Sequence, residues 1–282
     1  AMQHHTGQHQ PVLQVRGLRT VIDGSARSAD GASLMSATAV VDGIDFSLYP
    51  GETFAIVGES GCGKSITALS LMRLLPEAAR VVAGQVLVQG EDLLALPESS
   101  MRQVRGRRIA MIFQEPATSL NPVLTLGTQL VEVIERHTDL RAAAARQQAL
   151  AVLQQVGVPD AERRLGEYPF QLSGGLKQRV MIAMALATAP DVLVADEPTT
   201  ALDVTIQAQV LSLLARLQRE RGMAVLLITH DLGVVARYAD RVAVMYGGRI
   251  IEQADARTLY RQPRHPYTQG LLASVPKLDG DT

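Results

Sequence analysis

The sequence has little cysteine and few aromatic residues. A single cysteine, Cys62, excludes a disulfide within the chain and leaves a cysteine-ligated metal cluster unsupported, so a reducing cytoplasm is the expected setting. Tryptophan is absent and aromatic residues make up 4% of the chain, which argues against the base-stacking surfaces that bind single-stranded nucleic acid. An ordinary globular protein without a nucleic-acid partner is therefore expected.

Long apolar segments and an excess of one charge are also missing. The longest strongly apolar stretch, Val180–Ala187, is well short of the roughly 20 residues that span a bilayer. With 27 basic and 28 acidic residues, the net charge of −1 gives no attraction to nucleic acid or to an anionic membrane surface. If the protein works at a membrane, we expect a partner to hold it there.

Short apolar runs alternate with helical patterns along much of the chain. Five runs are continuous rather than alternating, which is typical of strands that are covered on both faces of a parallel sheet. They are Thr53–Val57, Ile109–Phe113, Val192–Ala195, Ala224–Thr229 and Val242–Tyr246. Between Val204 and Leu217 the apolar positions fall on one helical face. The alternation predicts a doubly wound α/β core.

Two regions depart from this alternation. Val12–Leu18 and Val41–Tyr49 are predicted to be antiparallel strands, joined by a mobile loop at Asp23–Ser36. From residue 118 to residue 189 no run resembles a buried strand, and patterns such as Leu140–Val156 indicate helices. We therefore predict an α-helical subdomain inserted into the sheet domain.

A glycine-rich segment follows the first of the five runs. Gly-Glu-Ser-Gly-Cys-Gly-Lys-Ser fits G-x-x-x-x-G-K-[ST] between a predicted strand and the predicted helix Ile66–Leu75. In such loops the backbone N–H groups face phosphates, Lys64 would reach the β- and γ-phosphates, and Ser65 would hold Mg²⁺. The alternative is a glycine-rich turn in an unrelated sheet protein. Cys62 is at a variable position of the loop, where a small residue that fills space is expected rather than a reactive thiol. The candidate nucleotide-binding residues are Gly58, Glu59, Ser60, Gly61, Cys62, Gly63, Lys64, Ser65 and Ile66.

Two carboxylates follow another apolar run. They lie at the carboxyl end of the predicted strand, which is where ligands bind in parallel α/β sheets. Asp196 and Glu197 come directly after Val192–Ala195. An acidic pair at a strand end is often only a turn or a helix cap. Next to a phosphate loop, however, Asp196 is expected to bind Mg²⁺ and Glu197 to act as the general base toward an attacking water.

A third motif identifies a family. Leu172–Arg179 reads Leu-Ser-Gly-Gly-Leu-Lys-Gln-Arg and opens the helical pattern Leu176–Thr188. Its hydroxyl and N–H groups suit an anion, although the same residues can simply cap the helix. With the two preceding motifs, this segment resembles the signature sequence of the ABC ATPase family. The resemblance implies that Ser173, Gly174 and Gly175 contact the γ-phosphate bound by the other subunit of a head-to-tail dimer.

Three further elements are similar to those of ABC ATPases and appear in the same order. Gln114 resembles the glutamine that binds Mg²⁺ and senses the membrane partner, Asp203 lies in a segment that resembles the D-loop of the dimer interface, and His230 resembles the switch histidine of the γ-phosphate. A lone histidine at a strand end is more often structural. The resemblance implies ATP and Mg²⁺ as ligands, with Glu197, His230, Lys64 and Gln114 as catalytic residues and Ser65, Gln114 and Asp196 at the metal.

The implied fold is an α/β, ABC-type P-loop NTPase core with an antiparallel β subdomain and an inserted α-helical subdomain. The corresponding ranges are a disordered tail or tag remnant at residues 1–11, an ABC ATPase domain at 12–262 with its helical subdomain at about 118–189, and a C-terminal family extension at 263–282.

Further segments point to importers within the family. Phe113–Pro122, Asp196–Gln209 and His265–Thr268 are similar to the ATPases of dipeptide, oligopeptide, glutathione and nickel importers, and Val180–Leu186 adds to the likeness with the glutathione importer. The implied partners are a second ATP-binding subunit or a second copy, two integral membrane permease subunits and, indirectly, a periplasmic solute-binding protein. The implied location is the cytoplasmic face of the inner membrane.

Two features differ from the usual pattern of the family, and other functions remain open. No aromatic residue precedes Phe46, so Val21 or Ile22 takes the approximate place of the side chain that stacks on adenine. The cysteine-containing tail of many peptide-importer ATPases is missing, so the chain is either a short member or half of a duplicated ATPase. The alternatives are a non-transport ABC ATPase that acts as a mechanical clamp in DNA repair or translation, a phosphotransferase, and an ABC exporter.

Overall fold

The computed structural model describes residues 10–27, 33–59, 61, 63–113, 120–199 and 202–275, with the backbone alone at 25–27 and 33–35. The described strands are β1 (Leu13–Arg27), β2 (Ser33–Leu48), β3 (Thr53–Val57), β4 (Ala79–Val88), β5 (Glu91–Asp92), β6 (Ile109–Ile112), β7 (Val192–Asp196), β8 (Ala224–Thr229), β9 (Arg241–Tyr246) and β10 (Arg249–Asp255). The described α-helices are α1 (Lys64–Met72), α2 (Glu98–Val104), α3 (Leu126–His137), α4 (Ala142–Gln155), α5 (Ala161–Arg164), α6 (Gly174–Leu186), α7 (Val204–Arg221), α8 (Leu232–Tyr238), α9 (Ala256–Arg261) and α10 (Pro266–Ala273).

A six-stranded sheet with the order β10–β9–β3–β8–β7–β6 forms the centre of the molecule. Its strands are parallel except β10, which pairs antiparallel with β9. Both faces are covered, which explains the continuous apolar runs. In β3, Ala55 and Val57 pack into the core shared with the helical region, whereas Phe54 and Ile56 pack into the core shared with the second sheet. The predicted parallel α/β core is confirmed.

The second sheet is antiparallel, with the order β2–β1–β4–β5. The antiparallel pair was predicted, but the loop expected at Asp23–Ser36 is wrong over most of its length. β1 continues to Arg27 and β2 begins at Ser33, and the two strands stay paired to these ends. Residues 36–38 are exposed, so this end of the hairpin is held by backbone hydrogen bonds and lacks the apolar alternation that marks a half-buried strand. Residues 28–32 lie outside the described ranges.

Between β6 and β7 the described residues form helices and turns, without a strand. Fully buried side chains of α3, α4 and α6, among them Leu130, Ala149 and Val180, share one apolar core with the facing side of the parallel sheet. This packing fixes the start of α6 relative to the sheet. None of the helices in the described ranges is long and apolar enough to cross a lipid bilayer.

Two glycines with left-handed backbones provide a test of the packing between β1 and β4. Gly84 has φ +103°, and a Cβ atom there would lie 2.6 Å from the Gly17 oxygen and from the Leu18 Cα. Gly90 has φ +83° and faces open space. Both glycines therefore have a left-handed backbone, but only Gly84 lacks space for a Cβ atom.

We predict that Gly84→Ala lowers the free energy of unfolding by about 3 kcal/mol and Gly90→Ala by about 1 kcal/mol, because only the first forces a side chain against backbone atoms. Chemical denaturation of the two variants measures the difference. Equal losses would contradict the close approach of Gly84 in β4 to Gly17 and Leu18 in β1.

Candidate active site

Three neighbouring strands of the parallel sheet end at one edge, and each is followed by residues that carry chemistry. The loop after β3 leads to Lys64, His230 follows β8, and β7 ends at Asp196 with Glu197 next. Because β8 lies between β3 and β7 and all three are parallel, their carboxyl ends bring these side chains together.

The Lys64 side chain is buried, with 5% of its surface exposed. Its Nζ donates to the Gly58 carbonyl oxygen at 2.5 Å and to Glu197 Oε1 at 3.4 Å. A buried ammonium group needs partners of this kind, because burial without them is costly. The lysine therefore joins the start of the phosphate loop to the end of β7.

Glu197 lies between two basic side chains. In addition to the Lys64 contact, its Oε2 is 2.8 Å from His230 Nδ1. The Glu197 side chain is 11% exposed and that of His230 is 63% exposed, so the glutamate is largely buried and the histidine lies at the surface. Of the predicted catalytic residues, Glu197 thus contacts both Lys64 and His230. Gln114 lies outside the described residues.

The backbone of Glu197 is in the left-handed region, with φ +47°. Its N–H donates to the Ile228 carbonyl at 2.8 Å, which holds this conformation against β8. A non-glycine residue in this region costs roughly 1–2 kcal/mol, and such strain is concentrated at functional sites. The turn aims the carboxylate back toward Lys64, a feature that the sequence did not reveal.

Asp196 and Ser65 form the neighbouring polar pair. Ser65 Oγ donates to Asp196 Oδ1 at 3.1 Å, and Asp196 is 5% exposed. Burial raises the pKa of Asp196 above its ordinary value and the Glu197 charge raises it further, while the Ser65 hydrogen bond opposes the increase. One hydroxyl and one carboxylate form the donor set that Mg²⁺ uses when substrate phosphates complete its shell. The described residues contain no cluster of three or more metal-ligating side chains.

The phosphate loop leads into α1 through Gly63. This residue has φ +98°, and a Cβ atom would lie 2.3 Å from the Val40 oxygen, so only glycine fits. α1 has neither a side-chain cap nor an acidic residue in its first turn. An uncapped helix start beside Lys64 suits an anion, and the described residues of the loop therefore fit a polyphosphate. Ser60 and Cys62 lie outside the described residues.

The predicted signature and D-loop residues form two adjacent helix starts. Ser173 caps α6 by accepting from the Leu176 N–H at 3.3 Å, and Asp203 caps α7 by accepting from the Ile206 N–H at 2.9 Å. A Cβ atom on Gly175 would lie 3.0 Å from Ile206 Cγ2, so the helix starts are closely packed. Within the described part of the chain, no hydrogen bond or ion pair joins these residues to the phosphate loop.

A tyrosine near the end of the chain was missed as a site residue. Tyr267 Oη accepts from the Glu59 N–H at 3.2 Å, across 208 residues. The sequence marked the segment around Tyr267 as importer-like but gave it no role. Two residues were expected at the position of the side chain that stacks on adenine. Of these, Val21 is buried in β1 and Ile22 is half-buried.

Comparison with known proteins gives two family matches. The family described as ABC transporter matches residues 41–200, and that described as oligopeptide/dipeptide transporter, C-terminal region, matches residues 251–282.

Curated relatives and a solved structure agree with these matches. The chain is 57% identical to the dipeptide transport ATP-binding protein DppD of Bacillus subtilis (85% of this chain, 72% of the relative) and 53% identical to a probable peptide ABC transporter ATP-binding protein of Sinorhizobium fredii (94% and 77%). It resembles the dimeric post-hydrolysis structure of the ATP-binding cassette MJ0796 bound to ADP and Pi, with a TM-score of 0.71 and 25% identity over 87% of this chain and 99% of that one.

The raised pKa of Asp196 generates a prediction about stability. The folded protein favours the protonated form, so the aspartate costs stability once the unfolded chain is ionised, and this cost grows as pH rises toward the folded pKa. In EDTA and without nucleotide, Asp196→Asn should therefore raise the melting temperature at pH 8 and have little effect at pH 4. Thermal unfolding across this range measures it, and an asparagine variant that is less stable at pH 8 would contradict the prediction.

Proposed function

The chain belongs to the ABC transporter family of ATP-binding proteins, and on this premise we propose that it hydrolyses ATP to drive the import of peptides or related small solutes. The observation that carries the assignment of the catalytic residues is the contact of Glu197 with both Lys64 and His230, at 3.4 and 2.8 Å. A carboxylate held between a phosphate-binding lysine and a histidine is placed to act on the γ-phosphoryl group.

The first step is the entry of the ATP phosphates at the start of α1. The Lys64 ammonium then exchanges the Glu197 oxygen for phosphate oxygens, since the loop brings both acceptors within its reach. This exchange leaves a carboxylate oxygen of Glu197 to accept a proton from the attacking water. His230 orients the carboxylate through the 2.8 Å contact and, being 63% exposed, reaches the solvent side of the phosphoryl group.

Ser65 and Asp196 are the described residues that would hold Mg²⁺, with Gln114 as a third proposed ligand. When bound, the ion neutralises charge on the β- and γ-phosphates. Without it, the Ser65 hydroxyl orients the Asp196 carboxylate by a hydrogen bond of 3.1 Å.

A second copy, or a related subunit, completes the site in this proposal. Ser173, Gly174, Gly175 and Asp203 have no hydrogen bond or ion pair with the phosphate loop in the described part of the chain, although Ser173 opens a helix whose N–H groups suit an anion. The dimeric structure of the cassette MJ0796 supports the presence of a second subunit. In our proposal the two subunits face each other head to tail, so that these residues serve the partner's nucleotide.

Import is supported by the relatives, which are named for dipeptide and peptide transport, and by the match to the oligopeptide/dipeptide transporter C-terminal region. A clamp in DNA repair or translation is not favoured by these names. We further propose that two membrane permease subunits hold the chain at the cytoplasmic face of the inner membrane through the segment at residues 114–122, of which residues 114–119 lie outside the described ranges. A periplasmic solute-binding protein is proposed to act upstream. A glutathione importer stays a prediction.

Glu197→Gln should slow phosphate release from ATP at least about 100-fold, because the general base is lost while the shape of the site is kept. The same variant should accumulate an ATP-bound dimer, which light scattering coupled to size exclusion detects. Glu220→Gln, on an exposed face of α7, serves as the control. Parental turnover by the Glu197 variant would refute the base assignment.

Ser173→Ala tests the signature residue against a matched change. Both Ser173 and Thr125 cap a helix through a side-chain oxygen, so Ser173→Ala and Thr125→Ala should each cost about 1 kcal/mol of stability. Only Ser173→Ala is expected to lower ATP turnover, by about tenfold or more, since it also removes a ligand of the partner's nucleotide. Steady-state turnover and denaturation measure the two effects, and equal turnover in the variants would indicate that Ser173 is only a cap.

A further inference from the structure

We propose that Tyr267, in the C-terminal helix α10, is a positioning residue for the phosphate loop. Its hydroxyl fixes the orientation of the peptide group between Gly58 and Glu59 and, through that group, the position of Lys64. The inference rests on the proposed nucleotide site and extends it to a segment to which the family matches assign no residue role.

The peptide group between Gly58 and Glu59 is held from two sides. Its carbonyl oxygen accepts from Lys64 Nζ at 2.5 Å, and its N–H donates to Tyr267 Oη at 3.2 Å. Because a trans peptide is planar, its C=O and N–H groups point in opposite directions and turn together. A rotation that removed the carbonyl from Lys64 would therefore also break the contact with the tyrosine.

The Tyr267 side chain is itself restrained at the start of α10. Its backbone N–H donates to His265 Nδ1 at 3.0 Å, and Pro266 occupies the first turn of the helix. The Glu252 carboxylate of β10 accepts from the backbone N–H groups of Arg264 and His265, which ties the approach to α10 to the sheet. These contacts fix the backbone that carries Tyr267 and so restrict the position of its hydroxyl group.

The ring of Tyr267 packs on the strand beside the phosphate loop. Tyr246 ends β9, and the two ring centroids are 4.7 Å apart at an interplanar angle of 49°. β9 pairs in parallel with β3, with Val244 opposite Val57, the residue that precedes the loop. The two tyrosines therefore lie at the same edge of the sheet as the phosphate loop. This common support fixes the distance between the Tyr267 hydroxyl and the Gly58–Glu59 peptide.

Loss of the Tyr267 hydroxyl is expected to affect nucleotide affinity more than the chemical step. Without the hydroxyl, the Gly58–Glu59 peptide is held only by its hydrogen bond with Lys64. The orientation of the carbonyl group that accepts from the Lys64 ammonium group is then less fixed. The contact is near the surface, so water replaces part of what is lost. We therefore expect a moderate change in affinity and little change in the turnover of bound ATP.

Tyr267→Phe removes the hydroxyl and keeps the ring. The KM for ATP and the Kd for a fluorescent ADP analogue should rise about three- to tenfold, the range expected for one hydrogen bond, while kcat stays within about twofold. The Glu59 amide should exchange its hydrogen faster, which NMR or mass spectrometry detects. Tyr238→Phe is the matched control, because it also removes a side-chain hydrogen bond, to Ser212, on another helix.

The outcomes separate this proposal from the assignment of the nucleotide site. Unchanged KM, Kd and Glu59 exchange in Tyr267→Phe would overturn the positioning role, even if the melting temperature fell, since a purely structural tyrosine predicts that result. Equal increases of KM in Tyr238→Phe would also overturn it. Parental ADP binding by Lys64→Ala would instead refute the nucleotide site itself.

Discussion

The Glu197 carboxylate connects three loops at the edge of the parallel sheet, because its oxygens lie 3.4 Å from Lys64 Nζ and 2.8 Å from His230 Nδ1. These contacts depend on the sheet register. Val57 of β3 is paired with Thr229 of β8, so the phosphate loop and the histidine leave the sheet at the same level. A slip of one residue would turn every side chain of a strand to the opposite face and separate these groups.

This arrangement is kept at a cost in stability. Glu197 has a left-handed backbone, and Asp196 is a buried carboxyl whose pKa burial raises. Lys64 and Ser65 offset part of the cost through their contacts with these acidic residues. Backbone strain and perturbed carboxyl groups of this kind are concentrated at functional sites.

The sequence predicted the parts of the molecule that local patterns determine. The five parallel strands have continuous apolar runs because both faces are covered, and the phosphate loop has a recognisable spacing. β10 was not predicted, since as an edge strand most of its residues are only half-buried. The length of the β1–β2 hairpin was missed because its far end is exposed and paired through the backbone.

Within the site, the residue types were predictable but their contacts were not. The Lys64–Glu197 pair spans 133 residues and the Glu59–Tyr267 contact 208, so only the folded sheet brings the partners together. The left-handed turn at Glu197 likewise depends on the hydrogen bond to Ile228 in the adjacent strand. Local periodicity contains no information about such pairings, whereas family resemblance supplied roles for Ser173 and His230 and none for Tyr267.

The central claim is that each nucleotide is held by the phosphate loop of one copy and the Ser173–Gly175 segment of another. Mixing the Lys64→Ala and Ser173→Ala proteins tests it directly, since each is impaired alone but a mixed dimer contains one intact site. Random pairing places one intact site in half of the dimers, so ATP turnover should rise toward about one-quarter of the parental rate. A mixture that is no faster than the average of the two separate variants would contradict the shared site.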